Sequence, residues 1–297
     1  MTSDVAARHR LPVPPQATAL ADEDLRELRG PSALGGGGRR FLELLWLVAS
    51  TDFKKTYYGS VLGYVWSLVR PLMLFGILLF VFTQIFHLGS QIPHYPVVLL
   101  LGIVMFTFFQ DATLNAVVAV VSREGIVRKT QFPRLVSPLA TVITKLLDFG
   151  VNMVAVVIFL FAFGVDPMWT WLFFPVTVLY LLVLTMAVSM LLSTLFVRYR
   201  DVGIIWGVIA TALFYATPVI YPLQLVPVKF QHLMLLNPLT PIFVQTRSWI
   251  IDRSAPGALT TAGGWLHLLP SLAIYAAICL IAVWKFNRDA PGIAEAL

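Results

Sequence analysis

The chain has 297 residues, 58% hydrophobic and only 12% charged, with a formal net charge of +6 and a mean hydropathy of +0.82. Soluble domains carry about 25% charged residues, so a soluble active site is not the starting point. Nucleic acid is excluded as a partner, because the basic residues flank apolar runs, where membrane topology and anionic lipid account for them.

Residues 1–38 read as a disordered tail, with Pro12, Pro14 and Pro15, an acidic Asp22-Glu23-Asp24 cluster and four glycines at 35–38. No cleavable signal peptide is read, since this stretch is polar. Residues 39–55 differ. The apolar run 41–49 would cover only about 14 Å as a helix, against a hydrocarbon core of about 30 Å. Arg39, Arg40, Lys54 and Lys55 bracket it, which predicts an amphipathic helix lying in the membrane interface.

Six spans are expected, at about 61–86, 96–121, 138–163, 169–197, 202–221 and 266–284, within a membrane domain over 56–289. Eighteen of the 21 basic residues lie on one side of these spans, and three (Lys229, Arg247, Arg253) on the other. Excess Lys and Arg mark cytoplasmic loops. This puts both termini, the tail 290–297 and the loop 122–137 on the cytoplasmic side of a bacterial plasma membrane. The segment 222–264 falls outside. It is too apolar for a loop and too broken to cross, since six of the 19 prolines lie between Pro218 and Pro256. Short apolar helices of this kind predict re-entrant segments packed against protein. The expected fold is therefore an all-α membrane protein with an interfacial helix, six spans, a cytoplasmic coupling helix and re-entrant helices before the last span. There is no internal repeat.

The catalytic inventory is thin. No Gly-Lys pair occurs, so there is no P-loop for ATP, and neither HExxH nor CxxC is present. The five histidines show no metal-ligand spacing, and the single cysteine, Cys279, cannot form an internal disulfide. No metal and no cofactor is expected in this chain. The costliest residue is Asp111, deep in the second span, because intramembrane carboxylates are expensive unless paired or hydrated. Thr107, Asp111 and Asn115 follow at i, i+4 and i+8, forming one polar stripe. It serves either as an interhelical hydrogen-bond cluster or as one wall of a polar path. Arg70, in the first span, is placed to contact an anionic headgroup or to snorkel to lipid phosphate. Lys145 and Asp148, at i, i+3 near the start of the third span, read as a structural pair. In the loop 122–137, Glu124 and Arg128 support a short helix that Phe132-Pro133 ends. That helix either docks in a groove of a cytosolic protein or is a solvated loop.

Four stretches carry a family resemblance in order and spacing across about 40–285. They are Lys55-Thr-Tyr-Tyr-Gly-Ser-Val-Leu-Gly-Tyr-Val-Trp-Ser-Leu-Val-Arg-Pro71, Arg128-Lys-Thr-Gln-Phe-Pro-Arg-Leu-Val-Ser-Pro-Leu139, Val197-Arg-Tyr-Arg-Asp-Val202 followed by Thr217-Pro-Val-Ile-Tyr-Pro222, and Leu236-Asn-Pro238. Together they resemble the permease subunits of bacterial ABC exporters for polysaccharides, of the O-antigen, teichoic-acid and capsule types. The Arg-rich composition is similar to that of actinobacterial members, such as galactan exporters. The resemblance implies a homodimer of this chain with two copies of a cytosolic ABC ATPase. That ATPase would bind ATP and Mg, and the cargo would be a polyprenyl-diphosphate-linked polysaccharide. It implies ATPase coupling through Arg123, Glu124, Arg128, Lys129, Phe132 and Arg134. It implies a substrate path lined by aromatics, for which Phe106, Phe108, Phe109, Phe214 and Tyr215 are candidates beside Arg70, Asp111 and Asn115. A multi-spanning enzyme on a lipid-linked substrate would need clustered acid–base groups. A secondary transporter would need paired intramembrane charges or broken symmetric helices.

Overall fold

A computed structural model describes residues 37–57, 63–87, 89, 92–125 and 133–289. Among these residues there is no strand, and they form a bundle of packed helices. The helices are α1 (Gly37–Tyr57), α2 (Gly63–Phe80, continued by a π-turn over Val81–Ile85), α3 (Tyr95–Ser122), α4 (Val136–Ala162), α5 (Phe174–Arg198, preceded by a 3-10 turn at Trp169–Phe173) and α6 (Val202–Ala216). After a 3-10 turn at Leu223–Leu225 come α7 (Val228–Leu236), α8 (Leu239–Ile250), α9 (Ala258–Thr261) and α10 (Trp265–Asp289).

The centre of the bundle is α3. Its sequence is apolar almost all round, which marks a helix enclosed by neighbours, and α2, α4, α5 and α6 surround it. Tyr95, Leu99, Leu100, Ile103 and Phe106 are fully buried there. By contrast α2, α6 and α10 expose large apolar residues, including Met73, Ile77, Phe80, Ile204, Val208, Leu280 and Trp284. Such surface suits hydrocarbon or another apolar partner, not water.

Five stretches are long and apolar enough to cross a bilayer: Val65–Ile85, Tyr95–Ser122, Val136–Ala162, Trp169–Arg198 and Trp265–Asp289. The expected span at 202–221 is shorter than the sequence suggested. Helix α6 stops at Ala216 because Thr217, with φ −103° and ψ 144°, is extended. The residue before a proline is pushed out of the α region, and Pro218 follows. Fifteen residues give only about 22 Å. Beyond it the broken, proline-punctuated architecture expected for 222–264 is present as α7, α8 and α9.

Helix α1 runs two residues further at each end than its expected bounds of 39 and 55. Leu45 and Ala49 bury against Val136, Leu139 and Ala140 of α4, and the Thr144 hydroxyl donates to the Ala49 carbonyl at 3.2 Å. Leu42, Trp46 and Leu47 stay exposed on the other side. The helix is thus apolar on both faces, one of them covered.

Candidate functional site

A cavity of about 130 Å³ opens between α2, α3 and α4 at the end of α1, lined by Tyr57, Ser67, Arg70, Thr107, Asp111, Lys145, Asp148 and Asn152, with Phe108 and Phe149 forming its apolar wall. Asp111 lies eleven residues from the Ser122 end of α3 and Lys145 nine from Val136, so the charges sit roughly 13–16 Å inside the bundle. For Lys145 and Asp148 this corrects the expectation of a position near the helix end. Helix α4 begins at Val136, which puts the pair in its third and fourth turns.

The charges are matched. Lys145 Nζ lies 2.8 Å from Asp148 Oδ2, both mostly buried, and the Tyr57 hydroxyl donates to Asp148 Oδ1 at 2.5 Å. Asn152 donates to the Asp148 backbone carbonyl at 2.8 Å. Breaking a buried, hydrogen-bonded pair by removing one partner costs about 3–5 kcal/mol. The second pair is looser. Arg70 Nη1 is 3.6 Å from Asp111 Oδ2, with the arginine side chain 78% exposed and the carboxylate 23%. An ion pair with one end in solvent contributes only about 0–1 kcal/mol. Arg70 can therefore leave Asp111 at little cost.

Thr107 and Asp111 border this cavity, and Asn115 is exposed and donates to the Asp111 carbonyl at 2.7 Å. The neighbouring Phe106, Phe109, Ala112, Thr113 and Ala116 are buried. The polar stripe is the open side of an otherwise enclosed helix. Most of the candidate aromatics lie elsewhere. Phe106 packs edge-on against Phe214 at 5.2 Å between ring centroids, and against Phe109 at 6.0 Å. Phe108 meets Phe149 at 5.3 Å, and only Tyr215 is exposed.

At the basic end of the bundle, α3 stops at Ser122 and Arg123 turns out of the helix, with φ −107° and ψ 20°. Its guanidinium pairs with Asp52 of α1 and donates to the Ser137 carbonyl at 2.8 Å. One side chain thereby ties α1 to both ends of the loop that begins at 123. Glu124 and Arg134 are described. Arg128, Lys129 and Phe132 lie outside the described residues.

At the opposite end two sequence stretches singled out separately meet. Asn237 donates to the Thr217 hydroxyl at 2.9 Å and accepts from the Leu239 backbone N–H at 3.0 Å. The Tyr95 hydroxyl donates to the Ile220 carbonyl at 3.0 Å. A Cβ on Gly102 would stand 2.6 Å from the Val219 carbonyl oxygen, so glycine permits α3 to touch this loop. A small second cavity, about 30 Å³, lies here and is lined in part by Gly102, Val219 and Arg247. Burial pulls the Arg247 guanidinium below its ordinary value, opposed by Asp252. Burial works to raise the Asp252 carboxyl, and Ser254 and Arg247 more than offset it.

Sequence reasoning missed Tyr57 and Asn152 as partners of Asp148, and Asp52 as the partner of Arg123. The positions lie 91, 4 and 71 residues apart. Only the i, i+4 pair carried a local signal. Among the described residues no group of three or more His, Cys, Asp or Glu is arranged to hold a metal ion.

An exposed apolar belt, a central enclosed helix and a charged cavity inside the bundle define a polytopic helical membrane protein. Residues 43–250 match the family described as ABC-2 type transporter, and the chain belongs to that family. It is 32% identical over 211 residues to the O-antigen export system permease protein RfbA of Klebsiella pneumoniae, covering 71% of this chain and 81% of that protein. To the protein of the same name from Myxococcus xanthus it is 29% identical over 217 residues, covering 72% and 83%. To the polysialic acid transport protein KpsM of Escherichia coli it is 24% identical over 248 residues, covering 80% and 90%.

Proposed function

We propose that this chain is the permease subunit of an ATP-driven exporter that carries a polysaccharide across the plasma membrane, with ATP hydrolysis supplied by a separate ABC ATPase chain. The observation that carries this reading is the family match over 43–250. It encloses both the charged cavity and the loop tied down by Arg123, and the relatives are named for export of O-antigen and transport of polysialic acid. On this reading the cargo is linked to a polyprenyl diphosphate, and the permease is a homodimer bound to two ATPase copies. The basic end and both termini are cytoplasmic, and α1 lies in the inner interface. Spans 1 to 6 are then α2 to α6 and α10, with α7 to α9 re-entrant from outside. Arg123, Glu124, Arg128, Lys129, Phe132 and Arg134 meet the ATPase. ATP and Mg belong to that partner.

Co-expression with a cognate ABC ATPase tests the proposal. A stable complex, reconstituted in vesicles, is expected to move a lipid-linked glycan only with ATP. A complex that forms but hydrolyses ATP with no movement of any lipid-linked glycan would overturn the polysaccharide reading.

One specific observation favours a second reading. The cavity holds two intramembrane ion pairs, Arg70–Asp111 and Lys145–Asp148, the feature a secondary transporter needs. Transport driven by an imposed proton or sodium gradient without ATP would select it.

A further inference from the structure

Two histidines 35 residues apart in sequence meet at the end of the bundle opposite the basic one. The His232 ring on α7 and the His267 ring in the first turn of α10 have centroids 5.6 Å apart and planes inclined at 39°. Both side chains are exposed. Their backbones are held from below. Met234 and Leu268 pack on the buried cluster of Leu223, Leu235, Val244, Ala258 and Ala262, so each histidine stands on a fixed element next to a packed neighbour.

That spacing leaves room for one shared metal ion between the rings. Zinc binds imidazole nitrogen at about 2.0–2.1 Å, which places a ring centroid about 3.2 Å from the ion, and at a tetrahedral angle two such centroids stand about 5.2 Å apart. The observed pair is within a few tenths of an ångström of this. Lys229 lies one turn before His232, and its ammonium is drawn to the Phe230 ring, 5.9 Å from the centroid. Phe230 and His232 differ by two residues, about 200° around a helix, so that charge leans away from the pair. The partial positive charge at the start of α10 opposes a cation modestly.

We propose that His232 and His267 form a binding site for a borderline divalent transition-metal ion, of the zinc, nickel or copper class, with water completing its coordination. Imidazole favours these ions over magnesium and calcium. An ion there joins α7 to α10 and holds the helices preceding the last span against it. The proposal stands whether or not the cargo is a polysaccharide.

The test uses the full chain purified in detergent through a tag that contains no histidine, titrated with Zn²⁺ in the presence of excess Mg²⁺. One bound ion per chain is expected. Loss of even an outer-shell partner costs 10–100-fold in metal affinity, so His232→Gln and His267→Gln should each weaken binding by at least about tenfold. The variant carrying His87→Gln with His94→Gln should bind as the parent does. Zn²⁺ should also protect His232 and His267 of the unaltered chain from carbethoxylation, read by mass spectrometry, which requires no variant to fold. Unchanged affinity in both single variants, or equal modification with and without Zn²⁺, overturns the site.

Discussion

Arg123, the residue that closes α3, is ion-paired with Asp52 of α1 and donates through its other terminal nitrogen to the Ser137 carbonyl of α4. The side chains are 17% and 30% exposed, so the pair is only partly screened by solvent. Three segments meet at one guanidinium, which links α1 to the residues on either side of the loop. Arg123→Ala should cost about 1.5–3 kcal/mol, the range for hydrogen bonds to charged groups. The melting temperature in detergent reads this. The exchanged pair Asp52→Arg with Arg123→Asp should recover part of the loss; no recovery would mean the ion pair contributes little beyond the Ser137 bond.

Energy input is expected through the rest of that loop. A partner biases a conformational equilibrium only by contacting its two states differently. Reversing Arg128 and Lys129 to Glu should weaken association with the ATPase, or uncouple hydrolysis from export, while the bundle still inserts. Pull-down and vesicle transport on the double variant decide it, and wild-type values in both would remove the loop from the coupling route.

The polar stripe of α3 should be wet. In a Cys279-free background, cysteines at 104–118 are expected to react with soluble reagents most at Thr107, Asp111 and Asn115, and least at the buried positions 106, 109, 112, 113 and 116. Reactivity without helical period, or strongest at the buried positions, would assign the stripe to packing alone.

Gly102 should tolerate no side chain. A Cβ there meets the Val219 carbonyl at 2.6 Å, whereas one on Gly76 has nothing within 4 Å. Gly102→Ala is expected to cost about 1–3 kcal/mol by overpacking, and Gly76→Ala to be close to neutral. Thermal unfolding of the two side by side checks this, and equal melting points would contradict the close approach.

Asn237→Ala removes the bonds to Thr217 and to the Leu239 N–H together, at an expected 1–3 kcal/mol. Limited proteolysis should then cut between α6 and α8 faster. Asn237→Asp retains the acceptor and should fall between the two.

Element positions were legible in the sequence where hydropathy alone decides them. The runs that became α3, α4, α5 and α10 have few charges and capping prolines or basic ends, so their bounds fell within a few residues. Helix α6 was overextended because apolar residues continue through Val219 and Ile220, and only Pro218 signals the break. The stripe of Thr107, Asp111 and Asn115 was visible as a period on one helix. Its closure into a cavity was not, since Arg70, Lys145 and Tyr57 arrive from three other helices, and periodicity within one segment says nothing about which face meets which. The aromatic candidates came from the family resemblance, and within this subunit Phe106, Phe109 and Phe214 are buried because α3 is enclosed on nearly every side.

The shortness of α6 has a consequence for the bilayer itself. About 22 Å of helix leaves some 8 Å of a 30 Å hydrocarbon layer uncrossed by that segment. Lipid would have to thin to meet it, or protein must fill the gap. Thr217 to Tyr221 continue the path, with the Thr217 hydroxyl bonded by Asn237, the Ile220 carbonyl by the Tyr95 hydroxyl, and the Tyr221 hydroxyl on the Tyr215 carbonyl at 2.7 Å. At this one place the segment that completes the crossing is held by side-chain hydrogen bonds rather than by a helical ladder.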